Sequence, residues 1–534
     1  MKAHHGMIGL WLLGPTMVLA SSDRSLSSLV ESRSSSLSWG PCELEVFIRG
    51  EADCATLQVP LDYTGTYSSE TINLQLIRFN ATKEPFKGSV LWNPGGPGIS
   101  GIETLAYLGS DFRDILGGHN DIISFDTRGT GKTIPFACGE KANSSTTSRR
   151  DVQTLPQASL WPYITKEKWQ DINMLADACY KRQQKHGRFL STAFTARDMM
   201  SIVDALDEDG KLRYWGISYG TILGQVAASM FPDRVGRILL DSNSLADAYL
   251  TSTGIGGPRD AEKSLMHFFS ECVAAGEATC QLANYSGPST TSHDLSAAVQ
   301  KLFQKLITTT EVPANSGLSP ADFPYGGNSI LPRLKYAILN ELSSPSGYEN
   351  VAKILSYALD GDYKKALSIY QELPSQWNLG TEAFHGIACS DSSFRVKSAD
   401  DLYSIYQAHL AESTFGDAIA ADYTGCSVWR FDAAEGVNTN ELRNVKTSFP
   451  ILVINGAFDP VTSLSHAWQV SSRFRDSRML VHEGIGHGVT SHASNCTLNA
   501  ISEYFQNGAL PKVGTVCKPN MSAFEYAKWL KQRA

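Results

Sequence analysis

Three residues, Ser218, Asp459 and His487, have the types and the chain order that nucleophilic acyl transfer requires. Ser218 lies in Gly216-Ile217-Ser218-Tyr219-Gly220, a G-x-S-x-G pattern whose glycines let the chain turn sharply from a strand into a helix and expose the hydroxyl. A serine hydroxyl is a weak nucleophile until a base removes its proton. His487, in Gly484-Ile485-Gly486-His487-Gly488, is the candidate base, and Asp459, closing Asn455-Gly456-Ala457-Phe458-Asp459-Pro460, is the candidate for fixing the imidazole tautomer. Alone, an Asp before Pro reads as a turn and a His between glycines as a loop residue; the three in this order are much harder to obtain by accident. Because His487 must be neutral to act, activity is expected to fall as the pH drops through about 6 to 7.

The developing oxyanion needs donors. Asn93-Pro94-Gly95-Gly96-Pro97-Gly98 follows an early apolar run, so the backbone of Gly95 and Gly96 is expected to face that of Tyr219 across an oxyanion hole. Losing one such donor typically costs about 3 kcal/mol of barrier. The same loop imitates other chemistry. Gly96, Gly98 and Gly101 satisfy a dinucleotide pattern with Asp126 after the next apolar run, but the serine motif and a secretory leader count against it. Gly129-Thr130-Gly131-Lys132-Thr133 resembles a phosphate loop but has Asp126 where the first glycine belongs. There is no CxxC or HExxH, and His482 and His487 are five apart rather than four, so neither metal nor cofactor is expected.

These groups must be positioned by a sheet. Ser89-Val90-Leu91-Trp92, Ile122-Ile123-Ser124-Phe125, residues 235–240, Ile451-Leu452-Val453-Ile454 and Met479-Leu480-Val481 are short apolar runs of the kind buried parallel strands show. Residues 212–215 read as the strand before Ser218, and 221–228, free of proline, as the helix after it. Met199, Ile202, Val203 and Leu206 stand at helical spacing between strands, and the alternation predicts an α/β fold with a mostly parallel sheet and helices on both faces. Residues 44–48 and 72–77 suggest a β-hairpin region at one edge. Between about 250 and 443 helical patterns dominate, at 261–275, 295–306 and 351–373, which reads as a helical cap inserted into the sheet domain. The expected organisation is a signal peptide at 1–20, a serine-rich flexible leader at 21–40, the first part of the core at 41–249, the cap at 250–443 and the second part of the core at 444–534.

Composition agrees with a globular enzyme: 42% hydrophobic, 19% charged and a net charge of −8 without a basic stripe, which argues against nucleic acid or an anionic membrane as partner. A peptide or small organic substrate fits better, and the oligomeric state is left open. Lys2, an apolar run to Leu19 and Val18-Leu19-Ala20 before Ser21 read as a cleaved secretory signal, so a secreted, extracellular location is expected. Ten cysteines suit that compartment, and each is expected to pair with its near neighbour: Cys42 with Cys54, Cys138 with Cys179, Cys272 with Cys280, Cys389 with Cys426, and Cys496 with Cys517. Sequons at Asn80, Asn143, Asn284, Asn495 and Asn520 are candidate glycosylation sites.

With these motifs in view, the chain resembles the secreted tripeptidyl and prolyl aminopeptidase branch of the α/β-hydrolases. The resemblance runs from about Trp39 to Cys517 and rests on the glycine loop, Asp126-Thr127-Arg128-Gly129-Thr130-Gly131, the Ser218 motif, Ile387-Ala388-Cys389-Ser390-Asp391, Asp459-Pro460-Val461-Thr462, Gly486-His487-Gly488, Gly508-Ala509-Leu510-Pro511 and Gly514-Thr515-Val516-Cys517. It implies an α/β-hydrolase fold and an exopeptidase that removes one to three residues from a free N-terminus, with cap carboxylates binding the α-amine; Glu341, Glu349, Glu372, Glu382 and Asp391 are the candidates. Two departures bear on substrate class: Asp241-Ser242-Asn243-Ser244 replaces a more glycine-rich turn, and Pro94 replaces a histidine. Fold and triad do not fix the acyl donor, so an esterase, lactonase or amidase acting on a small metabolite stays open, as does a non-catalytic binding protein of the same fold.

Overall fold

The computed structural model describes residues 37–139, 155–370, 380–420 and 422–532. The expected signal peptide, most of the serine-rich leader, Asn143 and Glu372 lie outside the described residues.

Among the described residues ten strands form one sheet: β1 (Gly40–Pro41), β2 (Asp53–Pro60), β3 (Thr71–Phe79), β4 (Val90–Asn93), β5 (Ile122–Phe125), β6 (Leu212–Ser218), β7 (Val235–Asn243), β8 (Leu452–Phe458), β9 (Arg478–Ile485) and β10 (Val516–Cys517), in the spatial order β1-β2-β3-β5-β4-β6-β7-β8-β9-β10. β1, β2 and β3 form an antiparallel edge that meets β5 antiparallel; from β5 to β10 every neighbouring pair is parallel. The parallel runs are apolar because both faces are covered: Leu91, Tyr214, Ile238 and Val453 pack on one side, and Trp92, Trp215, Leu239 and Ile454 on the other. All chemistry-bearing loops leave the carboxyl ends of these strands, where parallel strand ends converge.

Two expectations about local structure are corrected. Residues 44–48 are not a strand: Leu44, Val46 and Ile48 do pack on the core, but the Arg49 N–H goes to the Ala106 carbonyl of a helix rather than to a sheet neighbour. The apolar pattern at 351–373 is not one helix. Helix Tyr348–Leu359 stops before Gly361, whose φ of +85° ends it, and Asp362 caps a second helix, Tyr363–Ser368, by accepting from Lys365 N–H.

The cap is made of more chain than its expected boundaries. Helices Ala261–Ala275, Ser292–Thr308, Gly327–Glu341 and Tyr348–Leu359 share one apolar core, but Leu155 and Ala158 from upstream and Ala523 and Phe524 from the C-terminal helix Ala523–Lys531 enter the same core. An apolar stripe on a helix says that a face is buried, not against which partner. Each cysteine is disulfide-bonded to its near neighbour as expected: Cys42–Cys54, Cys138–Cys179, Cys272–Cys280, Cys389–Cys426 and Cys496–Cys517. No helix among the described residues is long and apolar enough to cross a membrane.

Candidate active site

Ser218 ends β6 and stands immediately before helix Tyr219–Met230, at φ +59°, ψ −121°. That is a strained conformation for a residue with a side chain, and it turns the hydroxyl out of the sheet at a helix N-terminus. The flanking glycines are steric requirements: a Cβ on Gly216 would stand 2.2 Å from the Gly220 carbonyl oxygen, and one on Gly220 2.9 Å from that of Asn93.

The glycine loop after β4 lies against this turn. A Cβ on Gly95 would sit 2.8 Å from the Ser218 Cβ and 3.1 Å from the Tyr219 nitrogen. The Gly95 N–H is already given to Asn93 Oδ1 at 3.0 Å, against its expected role, so Gly96 and Tyr219 are the remaining candidate backbone donors of the expected set. Asp126 serves this loop too: buried, it accepts from Ser100 Oγ at 2.7 Å and from Ile102 N–H at 3.3 Å. Above the loop lies the cap helix Gly380–Asp391, with Phe384 N and Ala383 Cβ 3.1 and 3.2 Å from where a Cβ on Gly98 would be.

Asp459 follows β8 and is fully buried. Its Oδ1 accepts from the N–H groups of Val461 and Thr462, both at 2.9 Å, and its Oδ2 from Thr462 Oγ1 at 2.7 Å. His487 Nδ1 stands 3.0 Å from Oδ2 and 3.2 Å from Oδ1. An ionised carboxylate only accepts, so Nδ1 carries the proton and Nε2 is left with a lone pair, as a general base needs. Burial pushes the Asp459 carboxyl up, but the facing His487 and the Thr462 donors outweigh it and hold it below the ordinary carboxylate value. Burial pushes the His487 imidazole down, but Asp459, its hydrogen bond and the more distant Asp241 outweigh that and raise it above the ordinary 6.5.

The base loop is gripped at successive backbone groups. Gly486 N–H donates to Phe458 O at 3.1 Å, His487 N–H to Ser343 O of the cap at 2.9 Å, Gly488 N–H to Ser242 Oγ at 2.7 Å, and Val489 N–H to Asp241 Oδ1 at 3.1 Å. A Cβ on Gly486 would meet the Ser343 carbonyl oxygen at 2.5 Å, so only glycine admits the cap this close. The cap holds the acid loop as well: Lys263 Nζ donates to Ala457 O at 2.6 Å, Leu464 N–H to Asp260 Oδ2 at 2.8 Å, and the His267 ring lies 4.0 Å from that of Phe458. The sequence names Thr462 only within the Asp459-Pro460-Val461-Thr462 motif and Asp241 and Ser242 only as a departure at the end of a strand, without a role for their side chains, and it does not name Ser343. Thr462 had a signal, a hydroxyl three residues after an Asp that starts a turn; Ser343 had none, since its contribution is a carbonyl.

The expected amine-binding carboxylates scatter. Glu349 is half-buried and already paired with Lys531 at 2.6 Å, so it has a cation of its own. Asp391 is enclosed, with Oδ1 accepting from Thr192 N–H at 2.7 Å and Oδ2 from Thr192 Oγ1 at 2.5 Å and Tyr249 at 3.0 Å; burial raises it to about 6 against these donors. Glu382 accepts from the Cys138 N–H. Glu341, half-buried and raised by that burial, accepts from Asn350 Nδ2 at 2.9 Å. Among the described residues no group of three His, Cys, Asp or Glu side chains could hold a metal ion.

Comparison with known proteins bears on the fold that carries these residues. A model described as the alpha/beta hydrolase fold matches residues 88–268, and one described as TAP-like protein matches residues 411–517. A tripeptidyl aminopeptidase of Streptomyces coelicolor is 25% identical over 508 residues, covering 91% of this chain and 86% of that protein. The serine protease Hip1 of Mycobacterium tuberculosis is 26% identical over 501 residues, 90% of each chain. A protein of the same organism named carboxylesterase B is 26% identical over 496 residues, again 90% of each.

Proposed function

Because the chain belongs to the α/β-hydrolases, with a TAP-like region toward its C-terminus, we propose that it is a secreted serine aminopeptidase acting through Ser218, His487 and Asp459. The observation that carries the reading is the Asp459–His487 contact at 3.0 Å on loops that leave β8 and β9, beside the strained Ser218 turn at the end of β6. His487 Nε2 takes the Ser218 proton as Oγ attacks a peptide carbonyl carbon, and the oxyanion is met by the N–H groups of Gly96 and Tyr219. Collapse of the tetrahedral intermediate passes that proton to the leaving amine, and water repeats the sequence on the acyl-enzyme. Asp459 supports the imidazolium without itself becoming protonated.

Two relatives are named as peptidases, and this supports a peptide substrate. A free α-amine needs a carboxylate without a cation of its own. Glu341 fits best among the candidates: it is half-buried, its partner Asn350 is neutral, and it lies two residues before Ser343, whose carbonyl holds His487. Five disulfides and exposed sequon residues Asn80, Asn495 and Asn520 support an extracellular destination; Asn284 is half-buried. The relative named carboxylesterase B supports a second reading, an esterase using the same machinery.

The test is release of anilide from Pro-, Ala- and Ala-Ala-Pro-anilides, their N-acetylated forms and nitrophenyl esters, with Ser218→Ala as blank. Turnover of the free-amine anilides that acetylation abolishes, and that Glu341→Gln weakens through KM, is the expected result. Turnover of esters alone would replace the aminopeptidase reading with the esterase one.

A further inference from the structure

β7 ends in Asp241-Ser242-Asn243, in the centre of the sheet between the strand that delivers Ser218 and the strand that delivers Asp459: Ile217 pairs with Asp241, and Asp241 with Ile454. All three residues are fully buried. Their side chains reach toward both catalytic loops. Asp241 Oδ1 takes the Val489 N–H at 3.1 Å and Oδ2 the Trp215 indole N–H at 3.4 Å; Ser242 Oγ, on a backbone at φ +56°, takes the Gly488 N–H at 2.7 Å. Asn243 Nδ2 donates to Ile454 O at 2.9 Å, and its N–H to Asn455 Oδ1 at 2.7 Å, on the strand that leads to Asp459. The two N–H groups that follow His487 along the chain therefore both end on this turn.

We propose that Asp241 is a positioning residue for His487: its carboxyl anchors the base loop through the Val489 N–H, two residues beyond His487, and when ionised it adds a second negative charge that favours the imidazolium formed during acyl transfer. The proposal rests on the serine-hydrolase reading above. The charged groups facing Asp241 are His487, from the loop after β9, and Asp459, from the loop after β8; its neighbour on β6 is the neutral Trp215 indole. His487 and Asp459 act in opposite directions on it. Burial pushes the Asp241 carboxyl up to about 7, against the pull of the Val489 and Trp215 donors and of His487. A carboxyl kept this close to neutrality without a permanent cation beside it gains most from ionisation when His487 is charged, which is the state the reaction passes through. Ser242 supplies the same kind of anchor with no charge, so the pair separates holding the loop from stabilising the charge.

The experiment compares wild type, Asp241→Asn, Ser242→Ala and Ser218→Ala for the pH dependence of kcat/KM and of fluorophosphonate labelling, with the melting temperature of each. Asn keeps the shape and an oxygen acceptor for Val489 but removes the charge. The expected result is a fall in kcat of about tenfold for Asp241→Asn with KM little changed, and an acid limb moved by about half a pH unit toward acid, because His487 loses one of the charges that raise it. Ser242→Ala is expected to lower kcat without moving the acid limb. An Asp241→Asn enzyme that folds and keeps the wild-type kcat and acid limb overturns the proposal, as does an acid limb moved equally by Ser242→Ala. Wild type that labels no better than Ser218→Ala overturns the serine-hydrolase reading and the proposal with it.

Discussion

Two buried acid–base pairs, one at the ends of the sheet strands and one inside the cap, use similar groups to opposite ends. In the cap, Lys335 Nζ lies 2.8 and 2.9 Å from the two oxygens of Asp417 and also donates to the Thr414 carbonyl, while Asp417 Oδ2 takes the Ala158 N–H at 2.9 Å; both side chains are wholly enclosed. At the strand ends, the Asp459 carboxylate is as enclosed, but its partner is a histidine whose side chain keeps 12% of its surface open. The cap pair joins helix Gly327–Glu341 to the chain at 414–417 and to the upstream segment at residue 158. Each of its charges is pushed toward neutrality by burial and drawn back by the other. The strand-end pair instead contains a group that changes charge near neutral pH and faces an opening. A buried charge is therefore a sign of catalysis only where one partner can give up its proton to something outside.

That contrast predicts different failures. Ser218→Ala is expected to lower kcat by about a millionfold with the melting temperature unchanged, read by anilide release and thermal unfolding of the same sample. Asp459→Asn is expected to cost about ten-thousandfold in kcat, because an amide oriented toward Nδ1 favours the wrong tautomer. Activity near wild type in that variant would break the comparison at its catalytic end. Lys335→Ala is expected to leave kcat/KM of the folded fraction within about twofold while destabilising the fold by about 3–5 kcal/mol, since Asp417 is left buried and unpaired. The double replacement Lys335→Met with Asp417→Leu is expected to regain most of that loss by urea unfolding; a double variant as unstable as the single one would mean the pair does more than neutralise itself. Thr462→Val removes one donor to Asp459 Oδ2 and is expected to cost about 1–2 kcal/mol of barrier and to move the acid limb toward acid, because Asp459 is then less firmly ionised and raises His487 less.

The smallest effect concerns pH. Since His487 is raised above 6.5 in the folded protein, protonation begins to remove the base at higher pH than for a free histidine, and kcat/KM is expected to reach half its plateau above pH 6.5. The pair is enclosed, so raising the salt concentration is expected to shift this midpoint little. A midpoint at or below 6.5 would mean that Asp459 and Asp241 do not outweigh the burial of His487.

What the sequence determined follows from short-range rules. The order Ser218, Asp459, His487, the glycines around each, the apolar runs that became β4 to β9 and the neighbour pairing of the cysteines were legible because each depends on residue type at fixed spacing, or on segments that lie close along the chain. The commitment of the Gly95 N–H to Asn93 and the splitting of the 351–373 helix were local too, but they turned on single hydrogen bonds and one positive φ that a period does not encode. Tertiary structure alone decided the rest. It brought Asp241 and Ser242 to the N–H groups of residues 489 and 488, more than two hundred positions away, and set a cap carbonyl on His487. It also carried the C-terminal helix into the core of the cap. Backbone carbonyls and N–H groups are the same at every residue, so a grip made by them leaves no mark in composition; only the fold says which of them meet.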